Sequence, residues 1–396
     1  MYENIYDILL TTKAYILLTI FLIVITIGFI IQILIYPIFF INKKFYRILT
    51  CYLLNIITSA SLAPVVWNNF NIYSNKALLD SKTFNTNNIY MCNHGGRIDW
   101  ILSSLFSSVG KYKKLNYIAE ATCKYLPLLG WYRNLCEDIY VSRSFNKDGN
   151  IIKNNLNSFL NDNIYRDIYF SPEGVIADKN NYDVSMILDC NNFCKKNNFK
   201  PFKYVLTPRY KGLQTILNSN NKYYITTVAY FKDNKLMNCK LNDSTREVPD
   251  LITLFKYNLD VYIYVKEIKI KENISNEKLK KKLLKIYKKH DKYLKNMDKN
   301  KELFYNQRKT DPFIKFTNDA KKKNLYLFFI LFILFIFCNR FKLIKYLNKF
   351  TKNLFLIVSI NHLISKYISG YSRESIPFET SLKAIMYRER DNDNKI

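Results

Sequence analysis

The sequence predicts an α/β protein: a largely parallel or mixed sheet of about seven strands flanked by helices, with N-terminal membrane helices and a C-terminal hydrophobic hairpin. Three observations carry that prediction. From about residue 86 to 275, short apolar runs rich in β-branched and aromatic residues alternate with helical ones, as strands do with crossover helices. His94, Arg143, Glu173 and Arg209 each lie within a few residues after a predicted strand, where the functional loops of such sheets gather. An almost unbroken apolar run precedes this region and two shorter ones follow it.

The 396 residues divide into a membrane anchor with a re-entrant or interfacial helix (1–70), an α/β domain (71–310) and a hydrophobic, membrane-associated region with a polar tail (311–396). Sixty Lys and Arg against 32 Asp and Glu give a net charge of +28, which calls for an anionic partner such as a membrane surface, a phosphorylated substrate or nucleic acid. Asparagine and lysine are frequent even in loops, so part of that charge reflects composition rather than a site. Nucleic acid is the poorest fit. The tyrosines and phenylalanines are dispersed through apolar runs and form no stacking surface beside the lysines. Eight cysteines at irregular spacing, without paired histidines, point to reduced thiols and give no metal site.

At the N-terminus, Ala14 to Tyr36 is interrupted only by Thr19, Thr26, Gly28 and Gln32. Its 23 residues reach roughly 35 Å as a helix, enough for a hydrocarbon core of about 30 Å. The run ends at Pro37 and Lys43-Lys44 without a small-residue cleavage site, so an uncleaved anchor is expected. Lys43, Lys44 and Arg47 after it put the remainder on the cytosolic side. The weaker run from Leu49 to Val66, broken by Asn55, Thr58, Ser59, Ser61 and Pro64, reads as re-entrant or interfacial. The absence of an acidic-poor, Arg-rich leader argues against organelle import, leaving the endoplasmic reticulum as the expected membrane.

Within the domain, strands are expected at 88–92, 115–119, 138–142, 166–170, 204–207, 223–231 and 261–270, and helices at 98–108, 150–161, 183–196 and 211–218. Residues 275–294 form a basic amphipathic helix that either lies on anionic lipid or packs on the domain, with no role for His290. Two apolar runs, 325–337 and 354–368, flank a basic connection. That charge favours a shallow hairpin on the cytosolic leaflet over two short spans.

The chemistry concentrates in Asn93-His94-Gly95-Gly96-Arg97-Ile98-Asp99-Trp100, a glycine-bearing loop between a strand and a helix. On one continuous helix His94 and Asp99 would diverge by about 140°. The glycines let the loop fold back, so the carboxylate can fix the imidazole tautomer and leave the second nitrogen as a base. Three more blocks accompany it: Gly130-Trp131 through Arg143, Pro172-Glu173-Gly174, and Val205 through Gly212 with Pro208 and Arg209. An arginine at a strand end can grip a phosphate through two N–H groups. No Gly-x-Ser-x-Gly elbow is present, which disfavours a serine acyl-enzyme.

In this order and spacing the four blocks resemble those of the glycerolipid acyltransferases, membrane enzymes that acylate lysophosphatidic acid and other lysophospholipids. Arg97-Ile98-Asp99-Trp100 is similar to the lysocardiolipin acyltransferase branch. The resemblance implies His94 as general base and Asp99 as its orienting partner. Asn93, Arg97, Arg143, Glu173, Gly174, Pro208 and Arg209 would serve the acceptor site, with no metal or cofactor and acyl-CoA as co-substrate. Two positions depart from the family pattern. Val175 stands where a Thr or Ser is common, and Glu120 where a lysine is often found, with Lys124 one turn on.

The expected reaction moves a fatty acyl group from acyl-CoA to the free glycerol hydroxyl of lysophosphatidic acid. The tetrahedral oxyanion would sit on N–H groups at the start of the helix after Arg97. Lysocardiolipin or another lysophospholipid is the alternative acceptor. A reading of another class is a catalytically inactive, membrane-tethered protein that binds anionic lipid.

Overall fold

The computed structural model describes residues 2–64, 71–75, 86–109, 114–142, 145–177, 184–217, 221–300 and 313–315. Arg143 and both C-terminal apolar runs lie outside these residues.

Nine strands are present among the described residues: β1 (Asn71–Asn75), β2 (Asn87–Cys92), β3 (Lys114–Glu120), β4 (Ile139–Val141), β5 (Arg166–Phe170), β6 (Asn221–Lys232), β7 (Lys235–Leu236), β8 (Leu259–Ile268) and β9 (Phe313–Lys315). They form one sheet in the order β4-β3-β5-β2-β6-β8-β1-β9, with β7 paired to β6. From β4 to β6 every pairing is parallel, while β8 runs antiparallel to β6 and β9 antiparallel to β1, so the sheet is mixed. The helices that follow α1 to α3, described below, are α4 (Asp99–Val109), α5 (Leu129–Leu135), α6 (Phe145–Asn161), α7 (Val184–Lys196), α8 (Tyr210–Ile216), α9 (Leu251–Lys256) and α10 (Asn276–Lys299).

The order of the strands prepares a site. From β2 the chain crosses through α4 to β3 on one side, and from β5 it crosses through α7 and α8 to β6 on the other. Because β2 and β5 are parallel neighbours whose connections lead in opposite directions along the sheet, the loops at their carboxyl ends are where a site is expected. Ile89, Met91, Ile168, Phe170 and Ile225 belong to the core formed around these strands.

One expected strand is a loop. Residues 204–207 cannot join the sheet because side-chain carboxylates claim their N–H groups. Asp291 accepts from Lys203 and Tyr204 at 2.6 and 2.7 Å, and Glu173 accepts from Leu206 at 3.1 Å.

The N-terminal segment is α1 (Tyr2–Ile35), a short α2 (Ile38–Ile41) and α3 (Lys43–Ser61). The stretch Ile5–Ile41 is long and apolar enough to cross a membrane. The polar interruptions in its apolar run have distinct reasons. Thr19 and Thr26 return their hydroxyls to the carbonyls one turn earlier. Gln32 donates to Tyr46 Oη and Thr50 Oγ1 on α3, and a Cβ on Gly28 would meet Ile57 Cγ2 at 2.5 Å, so both mark the seam where α3 packs on α1.

The weaker apolar run expected from Leu49 lies in a helix that starts earlier than the run itself. The helix begins at Lys43, capped by Asn42 Oδ1 on the Phe45 N–H at 2.9 Å, and its charged first turn belongs to the α/β unit. Arg47 is buried, pairs with Glu137 at 2.8 Å and with Asp162, and donates to Ser158 O at 2.8 Å. Its guanidinium and that of Arg166 lie 5.0 and 4.0 Å from the centroid of the Phe159 ring.

Helix α1 also meets the α/β unit at three levels. Asp7 pairs with Lys256 at 2.7 Å, Phe21 packs on Trp100 and Phe255 with centroids 6.2 and 6.1 Å away, and Phe29 packs on Trp131 at 5.9 Å. Its other face exposes Tyr6, Leu9, Tyr15, Ile16, Ile23 and Leu34. Of the two alternatives for the basic amphipathic stretch, α10 takes packing on the domain. Leu279, Leu283, Leu284, Tyr287 and Leu294 enter the core and the lysines line the opposite face. His290 is buried with Nδ1 2.6 Å from Thr227 Oγ1, and burial pulls it down to about 3, so it stays neutral.

Candidate functional site

The loop after β2 is fixed before it reaches its histidine. Asn93 continues the β2–β6 ladder through its side chain, which accepts the Val228 N–H at 2.7 Å and donates to Val228 O at 3.1 Å. Only 2% exposed, Asn93 is held as an anchor for the loop. Cys92, one residue earlier, is buried and its thiol is pushed well above the ordinary range by burial.

Gly95 and Gly96 follow, neither with a positive φ. Their lack of a side chain serves close approach instead. A Cβ on Gly95 would lie 2.6 Å from Asn238 Nδ2, and one on Gly96 would lie 2.9 Å from Pro249 Cγ and 3.0 Å from Tyr230 Cε2. With the loop pressed onto this floor, Asp99, the first residue of α4, turns its carboxylate back to the histidine. His94 Nδ1 lies 2.9 Å from Asp99 Oδ2, which also accepts the Gly95 N–H at 3.1 Å. Asp99 Oδ1 accepts the hydroxyl of Tyr230. Asp99 is 3% exposed and His94 28%, so the carboxylate is sealed while the ring remains reachable. With Asp99 accepting at Nδ1, that nitrogen carries the proton and Nε2 is left as the basic one.

Glu173 follows β5, beside this loop. Its Oε1 accepts the main-chain N–H of His94 at 3.0 Å and its Oε2 that of Leu206 at 3.1 Å. The side chain is 4% exposed, and burial raises it to about 7, outweighing the two N–H donors and the nearby His94 and Arg246, which act in the opposite direction. Glu173 thus ties the histidine loop to the loop before α8.

Gly174 has φ +72°, a left-handed conformation, and the side chain of Arg209 lies over it, 3.4 Å from where a Cβ would stand. Arg209 donates its main-chain N–H to Pro172 O at 2.8 Å. Its side chain is exposed, and Pro208 before it is buried. Arg97 is exposed as well, with its main-chain N–H on Pro249 O at 2.9 Å. The Asp99 N–H is taken by Gly96 O at 3.3 Å. The oxyanion site expected at the start of this helix therefore loses those two donors.

The two departures from the family pattern also find their surroundings. Val175 packs against Ala177, Leu206 and Leu241, an apolar pocket in which a hydroxyl would gain nothing. Lys124 lies with its Nζ 4.8 Å from the Tyr125 ring centroid, just beyond Glu120 at the end of β3.

His94, Asp99, Glu173, Gly174, Pro208 and Arg209 are thus brought together from loops after β2, after β5 and before α8. Several contributors escaped the sequence reading: Tyr230, Asn238, Pro249, and Arg246, which donates to Ala177 O at 2.9 Å and to Cys239 O. Their one signal is a tyrosine and polar residues inside or just after an apolar strand, which must find partners when buried.

Residues 70–230 match the family model described as Acyltransferase. The 1-acyl-sn-glycerol-3-phosphate acyltransferase epsilon of Mus musculus is 27% identical over 150 residues, covering 36% of this chain and 40% of that protein. The delta enzyme of Homo sapiens is 27% identical over 237 residues, covering 56% and 57%. Lysocardiolipin acyltransferase 1 of Gallus gallus is 24% identical over 205 residues, covering 49% and 51%. The chain therefore matches about half of the length of these relatives.

Proposed function

We propose, from the match of residues 70–230 to the acyltransferase family model, that this protein transfers a fatty acyl group from acyl-CoA to the free glycerol hydroxyl of lysophosphatidic acid, giving phosphatidic acid. The observation that carries the reading is the His94–Asp99 pair, 2.9 Å apart, with the carboxylate buried and the imidazole reachable. His94 Nε2 takes the proton of the acceptor hydroxyl as its oxygen attacks the thioester carbonyl. The tetrahedral adduct then collapses, the carbon–sulfur bond breaks, and the imidazolium returns the proton to the departing thiolate. A positioned imidazole of this kind contributes about 10²–10⁴-fold.

Arg209, whose side chain lies over Gly174, takes the acceptor phosphate, with Arg97 and Arg143 joining it by the family resemblance. Glu173 acts by holding the His94 main chain in place. Support for a membrane setting comes from the apolar outer face of α1, which would put the site where lysophospholipids and long-chain acyl groups partition. The endoplasmic reticulum, with the site toward the cytosol, remains the proposed location. Lys43 and Lys44 support that orientation, whereas the charge of Arg47 is balanced internally by Glu137 and Asp162.

Lysocardiolipin or another lysophospholipid is a second acceptor reading, supported by Arg97-Ile98-Asp99-Trp100 and by the similarity to the chicken lysocardiolipin enzyme. An inactive lipid-binding protein is a poorer account, since nothing in lipid binding requires a buried carboxylate aimed at a reachable imidazole. The deciding experiment offers labelled acyl-CoA and a panel of lyso-acceptors to the detergent-solubilised protein, with His94→Ala as control. Transfer to lysophosphatidic acid that His94→Ala abolishes supports the proposal. Transfer that survives the substitution in a folded protein ends the mechanism, and preference for another acceptor moves the assignment to the second reading.

A further inference from the structure

We infer that Tyr230 is a positioning residue for His94, the far member of a hydrogen-bonded chain Tyr230–Asp99–His94 that sets how the imidazole is held. The geometry stands by itself; its consequence for rate rests on the acyl-transfer reading above.

The hydroxyl of Tyr230 donates to Asp99 Oδ1, the oxygen that His94 and Gly95 leave free, so both carboxylate oxygens are held and the group cannot rotate. Tyr230 is fully buried on β6, and burial pushes its phenol well above the ordinary range, so it keeps its proton and remains a donor. The ring has a second task. It lies beneath the two glycines, 3.3 Å from the position of a Cβ on Gly95 and 3.0 Å from one on Gly96. The residue is itself held by its main-chain N–H on Asn238 Oδ1 at 3.1 Å, while Asn238 donates to Val228 O at 2.9 Å. Hydroxyl and ring therefore do separable jobs, and Tyr230→Phe removes only the first.

The test compares the full-length protein with Tyr230→Phe in two ways. The first is the steady-state kinetics of transfer from acyl-CoA to lysophosphatidic acid. The second is nitrogen NMR of the imidazole without substrate; the chain has three histidines, and His94 is assigned by its loss in His94→Gln. Expected are a fall in kcat of about tenfold or more with little change in KM, and an imidazole no longer held in the Nδ1–H tautomer, because the released carboxylate can turn. Tyr230→Leu, which also removes the ring, should lower thermal stability while Tyr230→Phe retains it. Unchanged kcat and tautomer in Tyr230→Phe overturn the inference. So does a rate loss with the tautomer unmoved, which makes the residue mere packing. If the unsubstituted protein shows no acyl transfer, the function reading fails but the tautomer still decides the role of Tyr230.

Discussion

The carboxylate of Glu173 accepts the main-chain N–H of His94 at 3.0 Å, a contact between residues 79 positions apart. One buried side chain thereby fixes the base from behind, and its protonation state is coupled to folding. Burial raises its value from 4.5 to about 7. A carboxyl raised in this way contributes stability fully present below 4.5 that is lost as pH rises through about 7. The stability of the native protein relative to Glu173→Gln should therefore decline across that interval, as measured by denaturant titration at a series of pH values. A flat difference would remove Glu173 from the buried position assigned to it. Transfer should also fall in Glu173→Gln, because the new amide cannot accept both the His94 and Leu206 N–H groups.

Asp99→Asn should lower kcat by about 10²-fold or more with the fold intact. The amide can accept at only one oxygen, whereas Asp99 now accepts from Gly95, Tyr230 and His94. Circular dichroism and steady-state kinetics on the same preparation check this. Wild-type kcat in a folded Asp99→Asn protein contradicts it.

Gly96→Ala should destabilise the protein by about 1–3 kcal/mol and displace the His94 loop. The new methyl would stand 2.9 Å from Pro249 Cγ and 3.0 Å from the Tyr230 ring, neither of them the end of a flexible chain. Gly212→Ala, where nothing lies within 4 Å of the added Cβ, is the matched control. The comparison of melting temperatures decides, and equal values for the two variants would count against the close approach.

Arg47→Leu should cost about 2 kcal/mol, below the roughly 3–5 kcal/mol of a broken fully buried pair. Glu137 and Asp162 are 16% and 24% exposed, so water recovers part of the loss, and Arg166 remains 3.5 Å from Glu137. Protease sensitivity of the N-terminal helices should rise along with the fall in melting temperature.

What the sequence revealed and what it hid divide by distance along the chain. The His94–Asp99 pair was legible because five residues and two glycines confine it. The orientation of Glu173 was not, since an aligned carboxylate looks the same whether it faces a substrate or two backbone amides from other loops. Asp99 and Tyr230 are 131 positions apart, and no local pattern links them. Strands β5 and β6 declared themselves by apolar runs. Polar β1, Asn71–Asn75, did not, because it is extended only through its pairing with β8. Helices α5 and α9, of seven and six residues, are too short for a 3.6-residue period to show.

The clasp between α1 and the rest of the molecule runs from Asp7 to Phe29. At 1.5 Å per residue that is about 33 Å, as much as the oily interior of a bilayer is thick. A helix gripped over such a length cannot sink into lipid independently of its neighbours: Trp100 and Phe255 travel with it. Any lipid leaflet that takes up its outer side must deform around the adjoining protein or admit it. Were the molecule seated on lipid, the height of the histidine above the acyl chains would be set by the fold, and a shift in immersion would move base and helix by the same number of ångströms.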